Sequence, residues 1–263
     1  RSSEAWAALA RGFIDFVRER RPGNVALRIF NPTVDEHGWE SPHTVIQIDN
    51  DDMPFLVDTV SMALAQADLS IHVLGHPVLR FKRDPGGNLL ALGEGELESL
   101  MHIEIDRQTD ADDLRRIETS IVSALSDVRM CVQDWHAMQQ KLRAIADALP
   151  TRTMPVSDAG RAEAQEFLRW AADDHFTFLG YREYEVADES DEQVLRALPG
   201  TGMGLLKSDA RVGKPRSLRS LTAHSLPASG SVDALILTKT NARSTLHRPG
   251  YMDYIGILQF DPS

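Results

Sequence analysis

Between residues 43 and 132 the hydrophobic period switches between two and 3.6 in a fixed order, and that order restricts the fold more than any other feature. In 43–49, Thr44, Ile46 and Ile48 alternate with their neighbours at the period of a strand. In 54–67, Leu56, Val60, Ala63, Leu64 and Ala67 recur at helical spacing, with Pro54 in the first turn and Asp52 as the expected cap. In 70–83, Ile71, Val73, Leu79 and Phe81 alternate with a polar set that includes His72, His76, Arg80 and Lys82. A turn at Asp84-Pro85-Gly86-Gly87, a short strand at 88–92 and an acidic Gly-rich excursion follow. In 100–107, Met101, Ile103 and Ile105 oppose His102, Glu104 and Asp106. Thr109 opens a helix, with Asp112 as a capping-box variant and Leu114, Ile117, Ile121, Val122 and Leu125 as its stripe. Residues 128–132 can supply a last strand. The order strand, helix, strand, strand, helix, strand is the split βαβ, or ferredoxin-like, unit.

The flanks are read the same way. Residues 4–19 form a helix through Trp6, Leu9 and Phe13, with Ser3 as its cap and Pro22-Gly23 as its stop. A strand at 25–30 and a turn-rich stretch lead to the ferredoxin-like unit. Beyond it, Trp135, Met138, Leu142 and Ile145 mark a helix over 135–148, and the prolines in 150–156 mark a domain boundary. Ser157 caps a further helix that buries Ala164, Phe167, Leu168 and Ala171. Strands are expected at 176–186, 234–240 and 251–260, a helix-like acidic stretch at 189–198, and a loop at 200–230. The organisation is α+β: an N-terminal helix and strand (1–42), the βαββαβ unit (43–134), a helix and linker (135–156), and a second α+β domain with an antiparallel sheet (157–263), cut short at its C-terminal end. With no initiator Met, the chain reads as a piece of a longer protein.

Composition narrows the function classes. The chain has 263 residues, 42% hydrophobic and 25% charged, as a globular protein does. No apolar run reaches the ~18 residues that span a bilayer, so no membrane is expected. With 28 basic and 39 acidic residues the net charge is −11, which disfavours nucleic acid as a partner. The lone Cys131 excludes an internal disulfide and a Cys-rich zinc site, and suits a reducing, cytoplasmic setting.

Four features could carry chemistry. Asp49-Asn50-Asp51-Asp52 resembles the start of a calcium loop but lacks its mid-loop Gly and bidentate Glu, so it reads as carboxylates at a helix N-terminus. If strands 70–83 and 100–107 pair antiparallel, His72, His76 and His102 could share one sheet face with Glu104 and Asp106. That set would suit a metal, or a polar face covered by a neighbouring domain or subunit. Gly200-Thr201-Gly202-Met203-Gly204 is not a dinucleotide fingerprint, because no strand runs directly into it. Arg243, His247 and Arg248 could hold an anion or pair with carboxylates across an interface. Cys131 reads as a packing thiol in a strand.

Longer blocks resemble one family. They are Asn50-Asp51-Asp52-Met53-Pro54-Phe55-Leu56-Val57-Asp58 with Leu69-Ser70-Ile71-His72 and His76-Pro77-Val78, and Glu98-Ser99-Leu100-Met101-His102-Ile103-Glu104-Ile105-Asp106-Arg107. Further along are Phe167-Leu168-Arg169-Trp170, Asp173-Asp174-His175-Phe176-Thr177-Phe178-Leu179-Gly180-Tyr181-Arg182-Glu183-Tyr184, and His247-Arg248-Pro249 with Tyr251-Met252-Asp253-Tyr254-Ile255-Gly256. Together they are similar to the large NAD-specific glutamate dehydrogenases of bacteria, enzymes of amino-acid catabolism. The resemblance implies an N-terminal, allosteric regulatory region with ACT-type domains, noncatalytic by itself. Catalytic lysine, substrate-binding and NAD-binding residues would lie elsewhere in the parent, so no cofactor is expected here. Its partners would be the rest of the polypeptide and sister subunits of a homo-oligomer, with His72, His76, His102, Glu104, Arg243, His247 and Arg248 as candidate interface residues. ACT domains often bind an amino-acid effector between first strand and first helix, which here is Asp49, Asn50, Asp52, Met53 and Pro54. Ligand-binding ACT domains usually carry Gly after this Pro, where this chain has Phe55.

Overall fold

The computed structural model describes residues 1–189, 192–208, 216–217 and 234–259. Two units divide the chain. One comprises Arg1–Val128 with Thr245–Pro249, the other Arg129–Ser244 with Gly250–Ser263.

The first unit begins with α1 (Ser3–Phe16), capped by the Ser2 hydroxyl, which accepts from Ala5 N at 3.2 Å. The cap is thus one residue earlier than Ser3. There follow β1 (Ala26–Phe30), a single turn α2 (Val34–His37), β2 (Thr44–Asp51), α3 (Leu56–Gln66), β3 (Ile71–Gly75), β4 (Val78–Arg83), β5 (Leu89–Leu92), β6 (Glu96–Ile105) and α4 (Ala111–Ala148). The sheet order is β1-β2-β6-β4-β5, with β3 also on β6, and every pair is antiparallel. The run expected over 70–83 splits into β3 and β4 around His76-Pro77, because a proline cannot donate to a ladder. Both pieces lie along β6, with Ile71 opposite Ile105 and Val78 opposite Ser99.

The βαββαβ order is corrected at its last strand. Residues 128–132 lie inside α4, which also absorbs the separate helix read over 135–148. The buried positions Ile117, Ile121, Leu125, Val128 and Cys131 continue to Met138, Leu142 and Ile145 at helical spacing. No Gly or Pro interrupts the 38 residues of the helix. One amphipathic helix therefore satisfies the whole stripe, and the β-branched Val128 and Val132 are overruled by it. The sheet position beside β2 belongs instead to β1, with Ala26 opposite Asp49 and Phe30 opposite Val45.

The two sheet faces differ chemically. Ile46 and Ile48 of β2 and Met101, Ile103 and Ile105 of β6 point one way and are 0% exposed. β2 and β3 both run antiparallel to β6 and so are parallel to each other. The crossover between them must lay α3 across one face. The α3 stripe of Leu56, Val60, Ala63 and Leu64 is buried accordingly. On the other face α1 brings Ala8 and Leu9 against Trp39 and Val45, and its C-terminal end brings Val17 against Phe81 and Leu100. The rest of that face is polar.

The second unit takes the remainder of α4, then α5 (Asp158–Trp170), whose Ser157 cap accepts from Gly160 N at 3.1 Å, and a single π-turn at Ala171–His175. The described strands are β7 (Gly180–Tyr181), β8 (Tyr184–Glu189), β9 (Glu192–Ala197), β10 (Met203–Gly204), β11 (Arg216–Ser217), β12 (Leu235–Arg243) and β13 (Tyr251–Ile257). They pair antiparallel as β10-β7, β11-β9-β8 and β12-β13. Its core gathers Leu142, Leu149, Ala164, Leu168, Ala171 and their neighbours. The helix-like stretch expected at 189–198 contains β9, because Val194 and Leu195 find partners in Ala187 and Val186. Much of the expected loop at 200–230, with Phe260 at the end of the last expected strand, lies outside the described residues. Cys131 is buried, on a helix rather than a strand, and its thiol donates to Leu179 O at 3.1 Å. Among the described residues no helix is long and apolar enough to cross a membrane.

Candidate functional site

The polar chemistry of the first unit concentrates on the sheet face beneath α1. Strand parity puts Gln47, Asp49 and Asp51 of β2 on the same side as Glu98, His102 and Glu104 of β6. Asp51 stands opposite Glu98, and Gln47 opposite His102. These side chains form two groups.

The first group is a buried ion cluster. Arg83 from β4 reaches Glu98 through Nε at 2.7 Å and through a terminal nitrogen at 2.7 Å, the bidentate fork that guanidinium and carboxylate favour. The same terminal nitrogen donates to Asp49 at 2.9 Å. Arg20, just past α1, lies 2.8 Å from Glu98 Oε1 and 2.8 Å from Asp51 Oδ1, and donates to Asn24 O at 2.9 Å. Arg20, Arg83, Asp49 and Glu98 have side chains no more than 3% exposed. Burial would raise the Glu98 carboxyl, but the hydrogen bonds from Arg83 and Arg20 outweigh it and hold it below the usual range. Sequence reading missed Arg20, Arg83 and Glu98 as a group. Alternation places the two acids on one face, but only register and the path of the chain after α1 bring the arginines to them.

The second group surrounds His102. Its Nε2 lies 3.3 Å from Glu104, and its Nδ1 3.1 Å from Gln47, which accepts from Arg28 at 2.7 Å. Glu104 accepts from Ser41 at 2.7 Å and from Arg1, whose guanidinium lies over Trp39. Burial pushes His102 below its usual pKa, against the pull of Glu104. The cover over His102 and Glu104 is therefore supplied within the chain, by α1 and by the segment that carries Trp39.

His72 and His76 lie apart from this group. His72 bonds Asp106 at 2.7 Å and stacks on His43 at 4.0 Å between centroids. His76 bonds Ser99, whose parity on β6 is opposite to that of His102. The four-membered set of His72, His76, His102 and Glu104 is not brought together, and no metal-holding group occurs among the described residues.

Of the expected effector residues, Asp49 and Asn50 are 0% and 1% exposed, and Asp49 is committed to the ion cluster. Asp52 is exposed and does not cap the helix. Its backbone N–H donates to Leu97 O at 3.1 Å, and α3 begins after Phe55, at Leu56. The expected start at Pro54 is thus two residues early. Phe55 is the N-cap, with φ 72 and no side-chain capping bond. The backbone at this position holds the left-handed conformation that glycine adopts freely, although a phenylalanine occupies it. Its ring packs on His247, 4.6 Å between centroids, and His247 also has positive φ, at 62. Arg243 lies over Tyr251 at 5.3 Å, and Arg248 is exposed.

The glycine loop at 200–204 does not fit a nicotinamide dinucleotide. Such a cofactor needs a strand, a glycine turn and a helix in a parallel unit. Here Gly204 sits in a two-residue antiparallel bridge and takes its N–H bond to Asp134 at 2.9 Å. A Cβ on Gly202 would lie 2.2 Å from Leu206 O, and one on Gly204 2.4 Å from Leu179 O. These glycines make room for the chain's own backbone rather than for a pyrophosphate.

Comparison with known proteins points one way. Residues 1–121 match the family model described as glutamate dehydrogenase, ACT1 domain. The NAD-specific glutamate dehydrogenase of Halomonas elongata is 34% identical over 254 residues, which is 94% of this chain and 16% of that protein. That of Pseudomonas aeruginosa is 34% identical over 242 residues, 89% of this chain and 15% of that protein. That of Mycobacterium tuberculosis is 28% identical over 160 residues, 58% of this chain and 10% of that protein. The chain thus spans only a small part of the curated relatives it matches. With an ACT1 match over residues 1–121 and two relatives matching about nine-tenths of its length, the chain belongs to the family of NAD-specific glutamate dehydrogenases, as an ACT-containing region.

Proposed function

We propose that this chain is a noncatalytic regulatory and assembly region of a large glutamate dehydrogenase. The parent would convert L-glutamate, NAD and water to 2-oxoglutarate, ammonia and NADH, with the NAD site elsewhere in the polypeptide and the whole in the cytoplasm. The ACT1 match carries this reading. The misfit of the glycine loop to a dinucleotide supports the noncatalytic part. The assembly part is supported by apolar side chains left in solvent on β3 to β6: Val73 42%, Leu79 46%, Leu90 61%, Leu92 56% and Leu97 41% exposed. Of these strands β5 closes an edge of the sheet, with Leu92 on the same face as Leu79 of β4; exposed apolar side chains at a sheet edge invite association, and a sister ACT sheet in another subunit is the partner they suit. The β2–α3 loop acts in this reading as a packing element, because Asp49 is buried within the ion cluster and Phe55 stands where a ligand would need a bare backbone.

The purified chain should show no glutamate-dependent NAD reduction; measurable turnover by clean protein would overturn the noncatalytic reading. Sedimentation should show self-association that Leu79→Asp with Leu92→Asp abolishes. A chain that stays monomeric at all concentrations would remove the assembly role. Titration with glutamate, aspartate, arginine and leucine should show no saturable binding, and binding lost in Asp52→Ala would restore the loop as an effector site.

A further inference from the structure

The ion cluster beneath α1 distributes its donors unequally. Glu98 takes both prongs of the Arg83 fork and two further guanidinium contacts from Arg20. Asp49 accepts one bond, from Arg83 to Oδ2 at 2.9 Å. Its Oδ1 has Arg20 Nε 3.1 Å away, but that N–H is directed to Glu98 Oε2 at 3.4 Å, so Oδ1 receives no hydrogen bond. Asp49 is 0% exposed, so solvent does not supply the missing donor. A buried carboxylate oxygen without a donor is expensive, whereas a carboxylic acid at the same place becomes a donor itself.

The charged groups around Asp49 come from every neighbouring element. They are Arg20 after α1, Asp51 on its own strand, Arg83 on β4 and Glu98 on β6. β1 places Ala26 opposite it, with no charge. Arg28, His102 and Glu104 lie further along the face and are bound to Gln47, to each other, and to Ser41 and Arg1. Counting the five local groups, two guanidinium charges meet three carboxyls, and one proton makes the set neutral.

We propose that Asp49 is a proton store: a buried carboxylic acid that hydrogen-bonds to ionised Glu98 and releases its proton to solvent as the pH is raised, leaving Asp49 and Glu98 as like charges side by side beneath α1. Burial, and then the hydrogen bond with Glu98, push the Asp49 carboxyl up to about 8 against the opposing arginines. The sign follows from linkage. An acid whose folded pKa lies above its unfolded value holds more protons when folded, so stability is full below the unfolded value and is lost as pH rises towards the folded one.

The test compares the full chain with Asp49→Asn, which keeps the shape and the donor but cannot ionise. The unfolding constant of wild type, divided by that of Asp49→Asn, should climb about tenfold per pH unit between roughly pH 5 and 7, and level off above roughly pH 8. Glu98→Gln should be far less stable than Asp49→Asn at every pH. A ratio that does not change with pH, or an Asp49→Asn variant as damaged as Glu98→Gln at pH 7, overturns the proposal. Infrared spectroscopy of wild type gives a check that needs no variant. A protonated-carboxyl C=O band should be present at pH 6.5 and vanish on raising the pH past the folded value; its absence at pH 6.5 overturns the proposal.

Discussion

Phe55 offers a direct test of the backbone at the start of α3. It holds φ 72, the left-handed region, with its carbonyl accepting from Thr59 N at 3.0 Å, so the helix cannot relax this residue without losing its first turn. An L-residue there costs about 1–2 kcal/mol, a cost glycine escapes. Glycine also has the more disordered unfolded chain, which takes back about 0.4–1 kcal/mol. Phe55→Gly should therefore be more stable than Phe55→Ala by about 0.5–1 kcal/mol, the reverse of the order at an ordinary helix position. Both variants lose the ring contact with His247, worth about 0.5–1.5 kcal/mol for a packed aromatic pair. Phe55→Ala should thus sit about 1 kcal/mol below wild type and Phe55→Gly close to it. Urea unfolding with a common slope measures both differences. An alanine variant as stable as the glycine variant would refute the claim that the left-handed backbone is enforced by the fold. Amino-acid titration of Phe55→Gly would then show whether the side chain is what closes the loop.

Asp52→Ala should change stability by less than about 0.5 kcal/mol, since its side chain is exposed and caps nothing; a loss of cap size in the same urea assay would show that α3 starts earlier than Leu56. Gly204→Ala should cost about 1–3 kcal/mol, because φ 57 is strained for alanine and the new Cβ meets Leu179 O; a neutral result by thermal unfolding would contradict the close β7–β10 approach. The depressed pKa of His102 means that this group binds fewer protons in the folded state than in the unfolded one, so its own contribution to stability is lost as pH drops below roughly 6.5, opposite in sign to that of Asp49. The stability of wild type relative to His102→Gln should fall as pH drops from roughly 6.5 to 5, and a difference that does not change with pH would show that His102 is not the group responsible.

The sequence alone determined which sides of the central strands are apolar. Ile46, Ile48, Met101, Ile103 and Ile105 sit at period two, and burying them on one face follows from the pleat whatever the partner strand. It also determined where helices form, because Leu56 to Leu64 and Ile117 to Ile145 carry stripes at helical spacing. Continuity was not legible there: residues 128–132 carry β-branched residues that suit a strand, and the helix wins only because its buried stripe runs unbroken through them. The tertiary structure alone decided that β1 takes the outer place beside β2, since edge pairing depends on what remains unpaired after the rest of the sheet has closed. It alone decided that His72, His76 and His102 separate, because a proline break and strand parity send them to different surroundings. It alone assembled Arg20, Asp49, Arg83 and Glu98. Their side chains come from four segments, and an ion pair is governed by distance in space, which pattern along a chain does not encode.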